Sequence, residues 1–213
     1  MSEPRPGPAE RINLGDPTTP RPASSVILLR RGGRHAERAL EVLLLRRSDE
    51  AAFMPGVWVF PGGAVDPEDG EGEGGQRSCA LRELSEEAGI ELGDPDELVL
   101  FSRWITPELV KTRFDAWFFL ALAPPHAPPR PDGSETTDAA WFSPRAALDA
   151  HAAGELALVF PTIKQLEALL PYGSSQEAID GARGRDVEAI LPKVIEAEEG
   201  HRVVLPGDPD YPA

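Results

Sequence analysis

The chain is 213 residues long, 41% hydrophobic, and carries 36 Asp and Glu against 21 Lys and Arg, for a formal net charge of −15 at pH 7. The length suits one domain with a sizeable core, or one domain with extensions, and no apolar run approaches the length of a membrane span. A field this acidic disfavours a DNA or RNA partner, and it repels a polyphosphate too unless metal ions and local arginines reverse the potential at the site.

Residues 1–22 hold six prolines and few large apolar side chains, and read as a flexible tail or strap that adds little to the core. Residues 24–31 (SSVILLRR) and Leu40–Arg47 (LEVLLLRR) are predicted strands, with Gly32-Gly33 suited to a hairpin loop between them. Trp58-Val59-Phe60 is a short strand running into a Pro61-Gly62-Gly63 turn. Residues 76–88 are a predicted helix with Cys79, Ala80, Leu84 and Ala88 as its inward stripe, ended by Gly89. Residues 97–105 and 113–123 are two further strands, and a proline-rich loop follows at 124–134. After a short strand at 139–142, Ser143-Pro144 opens a helix as N-cap and first residue. Residues 161–170 start a helix in the same way, 175–183 are a weaker helix, and 190–205 suit a closing strand pair turning at Glu199-Gly200. The order of elements suggests a mixed sheet with helices on its faces, α/β or α+β.

The chain's one cysteine, Cys79, permits no intramolecular disulfide, and the N-terminus lacks a basic-then-apolar start, so a cytoplasmic location is expected. The four histidines show no metal-ligand spacing. Carboxylates carry the chemical signal. On the helix, Glu83 and Glu87 are one turn apart on a shared face, with Glu86 beside them. Three crowded carboxylates raise one another's pKa unless a cation sits among them, and a hard divalent ion with oxygen ligands, Mg²⁺ above all, fits. The competing reading is a solvated acidic face in which Arg82 and Glu86 are an ordinary i,i+4 pair.

The segment from Pro61 to Ile90 resembles the Nudix box, the motif of hydrolases that cut a nucleoside diphosphate linked to another group. Arg82-Glu83-Leu84-Ser85-Glu86-Glu87-Ala88-Gly89-Ile90 fits the second half of that pattern throughout. Eighteen residues separate Gly63 from Arg82, more than the family usually places there, which reads as an insertion in the loop before the helix. The acidic residue expected in mid-loop has three candidates, Asp69, Glu71 and Glu73.

The resemblance implies a Nudix-type α/β/α sandwich with a mixed sheet. Its hydrolase domain would span residues 23–160, between the tail and a C-terminal helical extension, residues 161–213, packed on the same domain. It implies Mg²⁺ or Mn²⁺ as cofactor, held by Glu83, Glu87, Glu86 and the carbonyl of Gly62, with Arg82 holding the carboxylates in place. The general base would be Glu83, Glu86 or a loop glutamate, for which Glu135 is the candidate outside the box. Leu43-Leu44-Leu45-Arg46-Arg47-Ser48 and Gly56-Val57-Trp58-Val59-Phe60-Pro61-Gly62-Gly63 resemble an extension seen in coenzyme A diphosphatases. That places Arg46, Arg47 and Phe60 in the substrate-binding set. Strand alternation lets only one of the two arginines enter a given cleft, and Arg47 is favoured, as a contact to the 3′-phosphate of coenzyme A. Coenzyme A or an acyl derivative is the expected substrate, and ADP-ribose or a nucleoside diphosphate sugar the alternative. Of other classes, a non-catalytic Nudix-fold binding domain has no need of the intact carboxylates, and an isomerase would need a cysteine lining the pocket. The expected partners are a small-molecule nucleotide, no nucleic acid and no membrane, with homodimerisation left open.

Overall fold

The computed structural model describes residues 13, 15–31, 40–51, 54–197 and 200–212. Strand β1, Arg21–Arg31, lies at the centre and explains the architecture. Its side chains alternate: Val26 and Leu28 enter one core with the helix α1, Gly72–Ala88, while Ile27 and Leu29 enter another on the opposite face. Strand β2, Leu40–Arg47, does the same with Leu43 and Leu45 against Val42 and Leu44. Both faces of the sheet are covered, which is why these strands read as unbroken apolar runs rather than as half-buried alternations.

β1 pairs in parallel with β6, Phe114–Leu122, and antiparallel with β2 and with β4, Gly62–Ala64. β2 also pairs with β3, Trp58–Val59, and with β7, Thr136–Phe142. β5, Val99–Ile105, joins β6 to β8, Ala189–Ile190, completing an eight-stranded mixed sheet. On the face opposite α1 lie α2, Pro144–Ala152, α3, Phe160–Leu169, and α4, Ser175–Ala182, which bury Ala147, Leu166, Leu169 and Ile179. A separate hairpin, β9 Lys193–Ala197 and β10 Gly200–Val204, follows. The expected α/β/α layering on a mixed sheet is present. No described helix is long and apolar enough to cross a membrane.

Among the elements that differ from the reading of the sequence, three lie around the box. β1 starts at Arg21, because its parallel register with β6 runs from Arg21 opposite Phe114. Gly62–Ala64 is a strand rather than only a turn, since β1 offers Ala23, Ser24 and Ser25 as partners. α1 begins at Gly72, a turn early, and together with the 3₁₀ turn Pro67–Asp69 it takes up the extra residues before the box. Two caps behave as expected: Ser143 Oγ accepts from Ala146 N at 3.2 Å, and Gly89, left-handed with φ 62°, donates back to Leu84 and Ser85; α3 instead starts after Val159, with no side-chain cap. The Gly32-Gly33 loop and Glu199 lie outside the described residues, as do residues 1–12.

The described end of the proline-rich stretch is bonded to the β5–β6 loop. Asn13 N donates to Leu109 O at 2.7 Å, and Thr18 Oγ1 to Lys111 O at 2.9 Å. Buried Arg113 donates through Nη1 to Thr18 O at 2.7 Å and through Nε to Thr106 O at 2.9 Å. Deleting residues 1–20 therefore leaves a buried guanidinium short of an acceptor, an expected loss of about 1–3 kcal/mol. Thermal melts of the truncated and full chains should differ by roughly 3–10 °C. Coincident melts would show that the strap adds nothing.

Candidate active site

The site forms where α1 crosses β4. Gly62 N donates to Glu87 Oε2 at 2.9 Å, and Glu87 is only 4% exposed. A Cβ at Gly63 would stand 2.4 Å from Glu83 Oε1, so the bare backbone is what admits that carboxylate. Burial pushes Glu87 up to about 7; the Gly62 N–H works against the shift and the charge of Glu83 adds to it. Burial also raises Glu83, opposed by its contacts with Arg82.

Arg82 is the organiser of this end. Its Nε and Nη2 grip Asp69 at 3.0 and 2.8 Å, its Nη2 reaches Ala64 O at 3.2 Å, and its Nη1 donates to Glu83 Oε1 at 2.8 Å. The Arg82 fork holds Asp69 below the usual carboxylate range. Among the three mid-loop candidates, Asp69 is thus the one tied to the box arginine; Glu73 instead pairs with Arg77 at 2.6 Å. Glu86 also accepts from Arg82 Nη1, at 3.1 Å, but its side chain is 60% exposed and stays outside the cleft lining.

Opposite stands Glu135, at the foot of β7. Asp132 builds that corner by accepting from the N–H groups of Ser134, Glu135 and Thr136. Burial works against the Asp132 charge, yet these bonds and the Ser134 hydroxyl keep its pKa well below the ordinary value. Thr136 Oγ1 donates to Glu87 O at 2.9 Å, so the corner is latched to the end of α1.

A cleft of about 720 Å³ opens over these groups. Glu83, Glu87 and Glu135 line one end with Arg47, whose charge partly offsets the rise of Glu87. Arg46 turns the other way, to Asp49 at 2.6 Å and Thr137 at 3.4 Å. Phe60 lines the cleft but is buried, packed edge to face on Phe118 with ring centroids 6.4 Å apart. Arg21 and Lys111 line the cleft as well. Of the expected set, the fold brings together Glu83, Glu87, Gly62, Arg47, Phe60 and Glu135, keeps Arg82 just behind them, and sets Glu86 and Arg46 apart. Asp132, Thr136, Arg21 and Lys111 carried no local signal, because each acquires its place only through sheet register or a turn.

The NUDIX domain pattern matches residues 19–162, two thirds of the chain. The chain belongs to the Nudix family. A Nudix hydrolase from Alicyclobacillus acidocaldarius superposes with a TM-score of 0.69 at 28% identity, covering 76% of this chain and 96% of that one. Acyl-coenzyme A diphosphatase NUDT19 of Xenopus laevis is 24% identical over 271 residues, 81% of this chain and 71% of that protein. The human protein of the same name is 31% identical over 116 residues, 52% of this chain and 31% of its own length. The chain spans 60% of the length of another relative, from Caenorhabditis elegans, at 29% identity.

Nudix hydrolases generally use divalent metals, and the donor chemistry here suits one. The carboxylate oxygens of Glu83 and Glu87 share a wall, and Glu87 is a buried carboxylate whose charged form lacks full compensation. Among the described residues no three His, Cys, Asp or Glu side chains are grouped so as to hold a metal ion between them, which leaves two carboxylates as the side-chain donors. Such a half-open set fits Mg²⁺, which binds through one or two carboxylates and keeps water or substrate oxygens on its other positions.

Proposed function

We propose that this Nudix hydrolase cleaves the diphosphate of coenzyme A or an acyl-coenzyme A, using Mg²⁺ or Mn²⁺. The observation that supports this most is the cleft itself: carboxylates at one end, Arg47 beside them, and room along the sheet for a long substrate. The similarity to NUDT19 diphosphatases and the extension ahead of the box point to the same substrate class.

In this reading Glu83 and Glu87, with the Gly62 carbonyl, hold the cation, and Glu86 joins them only by leaving Arg82. When bound there, Mg²⁺ would supply charge to neutralise the diphosphate and would make a nearby water more acidic. Arg82 fixes the rotamer of Glu83, and Glu135 takes the proton of the attacking water. Arg47, expected from the sequence at the 3′-phosphate, is assigned instead to the diphosphate, because its charge acts on Glu87 at the carboxylate end. Glu135→Gln is then expected to lower kcat by about 10²–10⁴-fold with little change in metal affinity, and to alter the acid limb of the pH–rate profile. An unchanged profile would return the role to Glu83 or Glu86.

Coenzyme A, acetyl-coenzyme A, ADP-ribose, NADH and dinucleoside polyphosphates, compared by kcat/KM in Mg²⁺ and Mn²⁺, test the substrate class. Coenzyme A species should rank first. ADP-ribose ranking first would favour a nucleoside diphosphate sugar hydrolase, and no turnover of any of them a binding domain.

A further inference from the structure

The cleft floor is a track with unlike ends. Arg21, Ala23 and Ser25 share one face of β1, and Phe114, Ala116 and Phe118 stand level with them on β6. Ser25 is paired with Gly62, and so marks the carboxylate end. Arg21 is four residues away, about 13 Å along the strand. Between the two ends the floor is Ala23 and Ala116, which leave it open.

Lys111 faces the same far end from the β5–β6 loop. That loop is tied down on two sides, by Thr18 on the Lys111 carbonyl and by an ion pair of Lys193 with Glu108 at 2.9 Å. Among the described residues neither Arg21 nor Lys111 has an ion-pair partner. Both side chains are exposed to solvent and line the cleft, so they present positive charge to whatever enters it. Arg47 belongs to the other end, where its charge acts on Glu87.

We propose that Arg21 and Lys111 form a second anion subsite, which reads a charged group of the substrate remote from the scissile diphosphate. This rests on the diphosphatase reading and adds a specificity determinant to it. The group is a phosphate or carboxylate carried elsewhere on a nucleoside diphosphate derivative, either a ribose phosphate or the free carboxylate of a dicarboxylic acyl chain. Two charge-assisted contacts, of which one or both form, discriminate by about ten- to a hundredfold.

The test is calorimetric titration of the wild type and Arg21→Gln/Lys111→Gln with substrate pairs that differ by one remote anion, in Ca²⁺ to slow turnover. The pairs are coenzyme A with dephospho-coenzyme A, NADPH with NADH, and succinyl- with butyryl-coenzyme A. The wild type should prefer the more anionic member of at least one pair by ten- to a hundredfold, and the double variant by about twofold or less, with Arg21→Lys keeping most of the preference. Collapse in the first two pairs identifies a ribose phosphate, and collapse in the third a carboxylate. No preference in the wild type, or an equal preference in the double variant, overturns the subsite. Turnover of coenzyme A in Mg²⁺, measured separately, judges the diphosphatase reading, and its failure leaves the NADPH and NADH pair to decide the subsite.

Discussion

Glu87→Gln should abolish most turnover, by about 10³-fold or more, because in the proposed site it removes a charged oxygen ligand worth several kcal/mol of transition-state stabilisation. The same change should stabilise the metal-free protein. Burial raises Glu87 from 4.5 to about 7. A carboxyl whose folded pKa is raised lends its full stability below the unfolded value and loses it as pH rises through the folded one. The metal-free wild type should therefore lose about 3 kcal/mol between roughly pH 4.5 and 7 from this group alone. Glu87→Gln should flatten that stretch and, in EDTA at pH 7, melt several degrees higher. Mg²⁺ should raise the wild-type melting temperature far more than that of the variant. A variant with near-normal rates, or with the wild-type pH dependence of melting, would remove Glu87 from the metal site.

The neighbouring glycines should fail in two different ways when each is changed to alanine. At Gly62 the new Cβ would lie 2.2 Å from Ser25 Oγ and 2.4 Å from the Ser24 carbonyl oxygen, so the backbone of β4 or β1 must move. The β1–β4 pairing and the Gly62 N–H bond to Glu87 go with it. A loss of about 3 kcal/mol or more is expected, seen as a melting temperature lower by roughly 6–12 °C. At Gly63 the clash is with the carboxylate end of Glu83, which can swing aside. Gly63→Ala should thus keep most of its stability but lose about ten- to a hundredfold in kcat, with weaker metal binding, as a displaced ligand requires. Equal melting temperatures for the two variants would contradict the register of β4 on β1.

Much of this site could be read from residue order, and what could not has a physical reason. The box helix declares itself because Glu83, Glu86 and Glu87 need only helical periodicity to fall together. β2 declares itself because Leu40–Arg47 is apolar on both faces. β4 does not, since three residues with two glycines have no strand propensity of their own, and pairing with β1 imposes their conformation. The start of β7 was hidden for a similar reason: Thr136 is polar yet fully buried, because its hydroxyl latches to the Glu87 carbonyl. Choosing among Asp69, Glu71 and Glu73 required the guanidinium of Arg82 in space, thirteen residues from Asp69. Glu86 shows the reverse limit. Helical spacing puts it beside Glu83, but Arg82 and solvent draw its carboxylate outward. Arg21 and Lys111 lie ninety residues apart in sequence and come to line one cleft only because β1 pairs with β6.

The most direct measurement is a mass spectrum of the products when the wild-type protein is incubated with coenzyme A and Mg²⁺ in ¹⁸O-labelled water. Diphosphate hydrolysis should give 3′,5′-adenosine diphosphate and 4′-phosphopantetheine, with one of the two carrying the label, and Glu87→Gln should give neither above background. Intact coenzyme A beside labelled products from ADP-ribose would contradict the coenzyme A assignment, and labelled products at equal rates from Glu87→Gln would contradict the site itself.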